Sequence, residues 1–287
     1  MWCDTDVLGL SFQAGALGAI YPTMIIESPV FQIIALCCLG PAIWASVRDW
    51  PRNTVYWAVI GLAVLGPAVW CFGVLQAGWR TDFSFTIWVS VATTLTLLMT
   101  LALRLEAARR LIVLALPYLA FLIGFAILSN RGDHSLAQPP DIWVIVHIIV
   151  AVMTYALLTL AAVAALAVFI KERALKAKRS GAVASALPSV AEGESLQDRL
   201  MATCEGVLGL GLVTGIAIHV EHGQRLLEPD HKTVLTFAAF VVIGVLLILQ
   251  RYSGLRGRRA SQFVMMAYLL VTLAYPGVKF VTDVLSG

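Results

Sequence analysis

The residues of this chain best suited to chemistry are its five histidines: His134, His147, His219, His222 and His231. A neutral imidazole is the commonest side-chain metal ligand and a normal axial ligand of haem iron. Four of the five fall in or beside polar stretches, where a histidine is ordinarily solvated. His147 differs, because it sits in the uncharged run IWVIVHIIVAVMTYALLTLAAVAALAVF. An ionisable group within such a helix is costly and faces a bundle interior or a cavity. At helical spacing it shares a face with Ala151, Thr154 and Leu158, small and partly polar, which lets a flat ligand or another helix come close. An interhelical hydrogen bond from His147 and ligation of a metal are both open on spacing alone.

The elements that must position His147 follow from composition. The chain has 287 residues, 60% of them hydrophobic and 13% charged, with mean hydropathy +0.86. A soluble domain would be about a quarter charged, and crossing a bilayer takes about 20 mostly apolar residues in helical form. Uncharged stretches of that length predict spans at 29–47, 55–75, 83–103, 110–129, 142–170, 198–220, 232–250 and 262–284. The expected fold class is all-α: a polytopic integral membrane helical bundle of about eight transmembrane helices. Of the 20 basic residues, one side of this arrangement keeps only Arg80, Arg131, Arg225, Lys232 and Lys279. The positive-inside rule makes that the outer side, so the N- and C-termini of the eight-span core are periplasmic. All five histidines then lie in the outer half. The basic inner loops suit anionic lipid heads rather than nucleic acid.

Residues 1–28 read as an N-terminal extension: an extra span over 7–26, an interfacial, poorly anchored helix, or a start-site artefact with Met24 as the alternative start. Residues 29–287 read as a single membrane domain. The inner loop 171–197 begins as a basic helix extension, KERALKAKRS, and its second half, GAVASALPSVAEGES, reads as a flexible linker. Cys3, Cys37, Cys38, Cys71 and Cys204 include no CxxC pair and read as small apolar fillers. Gly211 and Gly215 form a GxxxG pair suited to helix packing. Glu205 is an isolated carboxylate within the sixth span, expected to pair with Arg199 or another inner basic residue or to meet a partner. Lys279 and Asp283 suit a snorkelling ion pair, with an anionic group as the other reading of Lys279. Pro41, Pro67, Pro117 and Pro276 each remove a backbone hydrogen bond within a span. There is no Walker sequence, GxSxG or HExxH, so no catalytic residue is assigned and a non-enzymatic protein is expected.

The stretch VHIIVAVMTYALLTLAAVAALAVFIKERALKAK resembles the signature helix of the cytochrome c assembly membrane proteins. The segments PDHKTVLTFAAFVVIGVLLILQRYSGLRGRRA and AYPGVKFV resemble the last two helices of that family. The similarity covers about residues 142–284 and is closest to the HemX/YpjD branch, with CcsA a relative. It implies eight spans, both ends outside, and haem handling at the outer face of a bacterial inner membrane. In CcsA-like members a histidine at the outer end of the fifth helix ligates haem, and His147 occupies that place. Those members also carry a tryptophan-rich loop that holds haem. Here the corresponding HVEHGQRLLEPDHKTVL has no tryptophan, and only Asp230 and Lys232 match the end of that motif. Two further family histidines are absent, one replaced by LILQRY and one near Lys279 and Asp283. The resemblance therefore implies haem as cofactor, with His147 as a ligand and His219, His222 or His134 as second ligand, or a five-coordinate iron. Lys279 or Arg225 would face propionates. It implies an accessory role rather than thioether ligation, with other cytochrome c biogenesis proteins as partners. The alternative expectation is a non-catalytic membrane protein that stabilises or regulates a haem-synthesis enzyme or a transporter.

Overall fold

The computed structural model describes residues 29–129 save 49, 52 and 81, then 140–178, 181–221, 231–253, 257–273, 277, 280 and 281. The extension 1–28 lies outside the described residues. All described regular structure is helical: α1 Pro29–Cys37, α2 Leu39–Val47, α3 Thr54–Ala77, α4 Phe83–Arg104, α5 Glu106–Leu128, α6 Ile142–Lys176, α7 Ala182–Ala186, α8 Val190–Glu221, α9 His231–Ser253 and α10 Arg258–Thr272. Among the described residues six stretches are long and apolar enough to cross a membrane: α1 with α2, then α3, α4, α5, α6 and α8. The shorter apolar stretch of α9, Thr236–Gln250, lies within the seventh predicted span, and α10 begins just ahead of the eighth. The chain is a polytopic helical membrane bundle. The α1–α2 break at Cys38 has a backbone cause. Pro41 has no N–H to donate to the carbonyl of Cys37, so the ladder is interrupted there.

Helix starts are fixed by local chemistry. The Asn53 side chain accepts from the Tyr56 N–H at 3.0 Å and opens α3. Asp82 accepts from the Phe85 N–H at 2.9 Å and opens α4, and its other oxygen takes the Arg80 Nε–H at 3.0 Å. Both side chains of that pair are nearly buried. Ser189 and Glu192 form a reciprocal capping box at the start of α8, with the Ser189 N–H and hydroxyl both on Glu192 Oε2 at 3.0 and 2.8 Å.

This box corrects the linker expectation. The second half of 171–197 folds into α7 and the first turns of α8, and Leu187 between them is fully buried. Lys171 Nζ donates to the Ala184 carbonyl at 2.6 Å, tying α7 to α6.

Helix α4 is the centre of the bundle. It packs on α3, α5 and α6, and most of its side chains are buried. It is also rich in hydroxyls, which a buried helix can carry where they donate back to its own ladder; the buried Ser84 hydroxyl, without a partner among the described residues, is the exception. Thr86, Ser90 and Thr94 donate to the carbonyls of Asp82, Thr86 and Ser90 at 3.0, 2.8 and 2.7 Å. By contrast α3 leaves Val55, Leu62, Leu65, Val69 and Phe72 exposed, a helical stripe that suits lipid. The most extensive helix pair is α6 with α8.

The bundle has a basic end, at Arg104, Arg109 and Arg110, and an opposite end near His147. At the basic end the turn into α10 is clasped from two helices. Glu194 of α8 accepts the Gly257 N–H at 2.7 Å, and Glu172 of α6 stands against the same residue. Arg258 lies over the Phe169 ring, 5.3 Å from its centroid.

Candidate functional site

His147 lies one and a half turns into α6, half-buried on the seam with α8. Its Nδ1 is 3.0 Å from Thr214 Oγ1. The Thr214 hydroxyl donates to the Gly211 carbonyl at 3.0 Å. A hydroxyl has a single hydrogen, so Thr214 accepts from His147 and the imidazole proton sits on Nδ1. The lone pair is then on Nε2. An imidazole whose one N–H is anchored in this way is the arrangement metal-ligating histidines use.

The glycines of α8 make the seam close. A Cβ on Gly215 would stand 3.4 Å from His147 Cε1, and one on Gly211 3.4 Å from Val150 Cγ1. Further along the seam Thr154 and Leu158 are buried, and the Cys204 thiol points at the Thr154 carbonyl at 3.6 Å. The small face expected beside His147 is therefore filled by a helix. No slab-shaped ligand fits between α6 and α8 at the level of Gly211 and Gly215. Apolar surface is available around the histidine instead, on the exposed Ile142, Trp143, Val146 and Ile149 of α6 and Val213 and Ile216 of α8.

The other predicted site residues are placed as follows. His219 is in the last turn of α8, four residues beyond Gly215 and so on the same helix face. His231 opens α9. The side chains of both lie outside the described residues, as do His134, His222, Arg225, Lys279 and Asp283 altogether. Glu205 does not pair with Arg199: six residues of helix place them about 120° apart around α8, and Glu205 Oε1 points across to α9, 3.0 Å from where a Cβ on Gly244 would be. Its Oε2 is buried without a hydrogen-bond partner among the described residues.

A second feature escaped the sequence reading. A cavity of about 230 Å³ lies between α4, α5, α6 and α10, distinct from the His147 seam. Phe83, Phe125 and Phe280 form its wall toward the His147 end, with ring centroids 5.3 to 5.9 Å apart. Thr86, Ser90 and Thr94 run down its α4 side. At its deep end Tyr118 and Tyr155 face in. Both are hydrogen-bonded to the Tyr268 hydroxyl, Tyr155 at 3.1 Å. The i, i+4 run of hydroxyls in α4 was the available signal; the tyrosines come from three separate helices and gave none.

The cytochrome C assembly protein family matches residues 79–286, which takes in α4 to α10, the His147 seam and the cavity. The chain belongs to the cytochrome c assembly family. A protein of Azospirillum brasilense described as an uncharacterized 28.8 kDa protein in nifR3-like 5′ region is 45% identical over 270 residues, covering 91% of this chain and 99% of the relative. As a cytochrome c assembly protein with apolar helices of spanning length, the chain acts in cytochrome c biogenesis at a membrane. Among the described side chains, the group suited to haem iron is the His147 imidazole, anchored through Nδ1 on Thr214, with apolar surface beside it. That set fits a single axial bond.

Proposed function

We propose that this protein binds haem at the outer face of the bacterial inner membrane and passes it on during cytochrome c assembly. The observation that carries the reading is the anchored imidazole: His147 is held by Thr214 with the proton on Nδ1 and the lone pair on Nε2. His147 would be the axial ligand of the iron, with His219 or His222 as a second and Lys279 as a partner for propionates. When bound, the haem iron supplies the coordination bond by which the cargo is held. The protein's part is to orient the imidazole, to offer apolar surface to the macrocycle, and to keep the site near the outer face. Supporting it are the family membership and the position of His147 on α6.

The test is a haemin titration of the purified, detergent-solubilised protein, read by its visible spectrum. Wild type should take up about one haem with a Soret band that His147→Ala shifts or removes. A wild type that takes up no stoichiometric haem refutes the carrier reading. It would leave His147 as a seam residue, joined to Thr214 across the close-packed glycines, and the protein as an accessory to a membrane partner.

A further inference from the structure

We propose that the cavity between α4, α5, α6 and α10 takes up the end of one acyl chain of a membrane phospholipid. The chemistry of the lining carries this. Seven hydroxyls line the cavity, and each is already engaged. Thr86, Ser90 and Thr94 donate to carbonyls of their own helix. Thr159 and Thr272 do the same, at 2.7 Å each, to the carbonyls of Tyr155 and Tyr268. The phenols of Tyr118 and Tyr155 are bonded to that of Tyr268. The other lining side chains are aromatic or aliphatic. A water needs two or more polar partners, and a buried polar ligand left without one loses its hydration for nothing. Hydrocarbon needs no partner, so it is the chemistry this lining accepts.

Size and position agree. A cavity of about 150 Å³ holds the six carbons of benzene, so one of about 230 Å³ holds about nine carbons of a chain. From Phe83 to Thr94 the lining runs about 16 Å along α4. That is about half of a hydrocarbon layer of about 30 Å, the half on the His147 side.

The way in is from lipid. Phe83, Phe125 and Phe280 pack on one another and wall off the His147 end. On the α4 and α6 sides the lining residues are buried, whereas Tyr118, Leu122 and Phe125 of α5 and Thr272 of α10 are half-buried. Beside these, Phe121 of α5 and Leu269 and Leu273 at the end of α10 are exposed. The cavity is therefore continuous, through the seam between α5 and α10, with the apolar surface that meets the bilayer. A phospholipid of the leaflet on the His147 side can send one chain through that seam.

The experiment uses the full-length protein in phosphatidylcholine nanodiscs doped with a phosphatidylcholine that carries a diazirine at the far end of one acyl chain. Carbene insertion is mapped by mass spectrometry. Helix α4 is the reporter, because Ile87, Ser90 and Val91 are buried and lipid outside the bundle does not reach them. Helix α3, with Leu62, Leu65 and Val69 exposed, reports bulk lipid. Wild type should be labelled on both helices. Ser90→Leu, which puts a larger side chain into the cavity, should lose the α4 labelling and keep that of α3. Wild type probed with the diazirine moved beside the ester should likewise lose α4 and keep α3, a control that needs no variant to fold. Labelling of α3 without α4 in wild type overturns the proposal, as does α4 labelling that persists in Ser90→Leu or with the ester-proximal probe. His147→Ala should leave both yields unchanged, so the result stands apart from whether haem binds.

Discussion

Replacing Thr214 by valine separates the two roles that His147 can have. The change keeps the shape of the side chain and removes the oxygen that accepts from His147 Nδ1 at 3.0 Å. As a contact between helices in a membrane, that bond is worth about 0.6 kcal/mol, with an upper range near 1.7. The effect on folding is therefore a loss of about three-fold in the unfolding equilibrium. As the support of a metal ligand its value is larger. Loss of an outer-shell partner of this kind lowers metal affinity by about 10- to 100-fold, because both tautomer and ring orientation are released. The assay is haemin affinity by titration in detergent, run beside equilibrium unfolding of the same preparations. Thr214→Val should cost at least ten-fold in haem affinity while unfolding changes little, and Thr214→Ser, which restores the oxygen, should recover most of it. Equal haem affinity in wild type and Thr214→Val, with affinity lost in His147→Ala, would refute the assignment of the proton to Nδ1.

Two further predictions concern the scaffold. Gly257 has φ of +68°, and a Cβ there would stand 2.5 Å from Glu172 Oε1, so Gly257→Ala should cost about 1–3 kcal/mol, seen as a lower midpoint in thermal unfolding in detergent. An unchanged midpoint would show that the turn into α10 is not held as described. Asp82 both caps α4 and pairs with Arg80, so Asp82→Ala should destabilise by about 2 kcal/mol or more, whereas Asp82→Asn keeps the cap and should lose less. Equal losses in the two variants would assign the whole effect to the ion pair.

The spans were readable because charge is so scarce. The prediction of 83–103 for α4 meets an observed Phe83–Arg104, and 142–170 lies inside the observed Ile142–Lys176. The helix that begins at Val190 was readable too, since Ser189 and Glu192 have capping-box spacing, but the alanines, serines and glycines around them outweighed that signal. What periodicity does not supply is which helices become neighbours. The face of His147 with Thr154 and Leu158 was identified correctly as small. That it would be filled by the Gly211 and Gly215 surface of α8 depends on packing between segments far apart in the chain. The cavity is further out of reach, since Tyr118 and Tyr268 are 150 residues apart and meet only once α5 and α10 are placed. That Glu205 has no ion pair with Arg199 has the same origin: its rotation about α8 aims it at α9.

The length of α6 has a mechanical consequence. At about 1.5 Å per residue its 35 residues form a rod of roughly 52 Å, against a hydrocarbon layer of about 30 Å. His147 is near one tip, and Lys176, in the solvent-exposed last turn, is at the other. A continuous helix does not bend sharply without a proline or a break, and none occurs along α6. Pivoting the rod by one degree about the level of His147 therefore sweeps the far tip through roughly 0.8 Å. A protein gripping that tip on the basic side would hold a lever, and the orientation of the imidazole would be adjustable from the opposite side of the membrane.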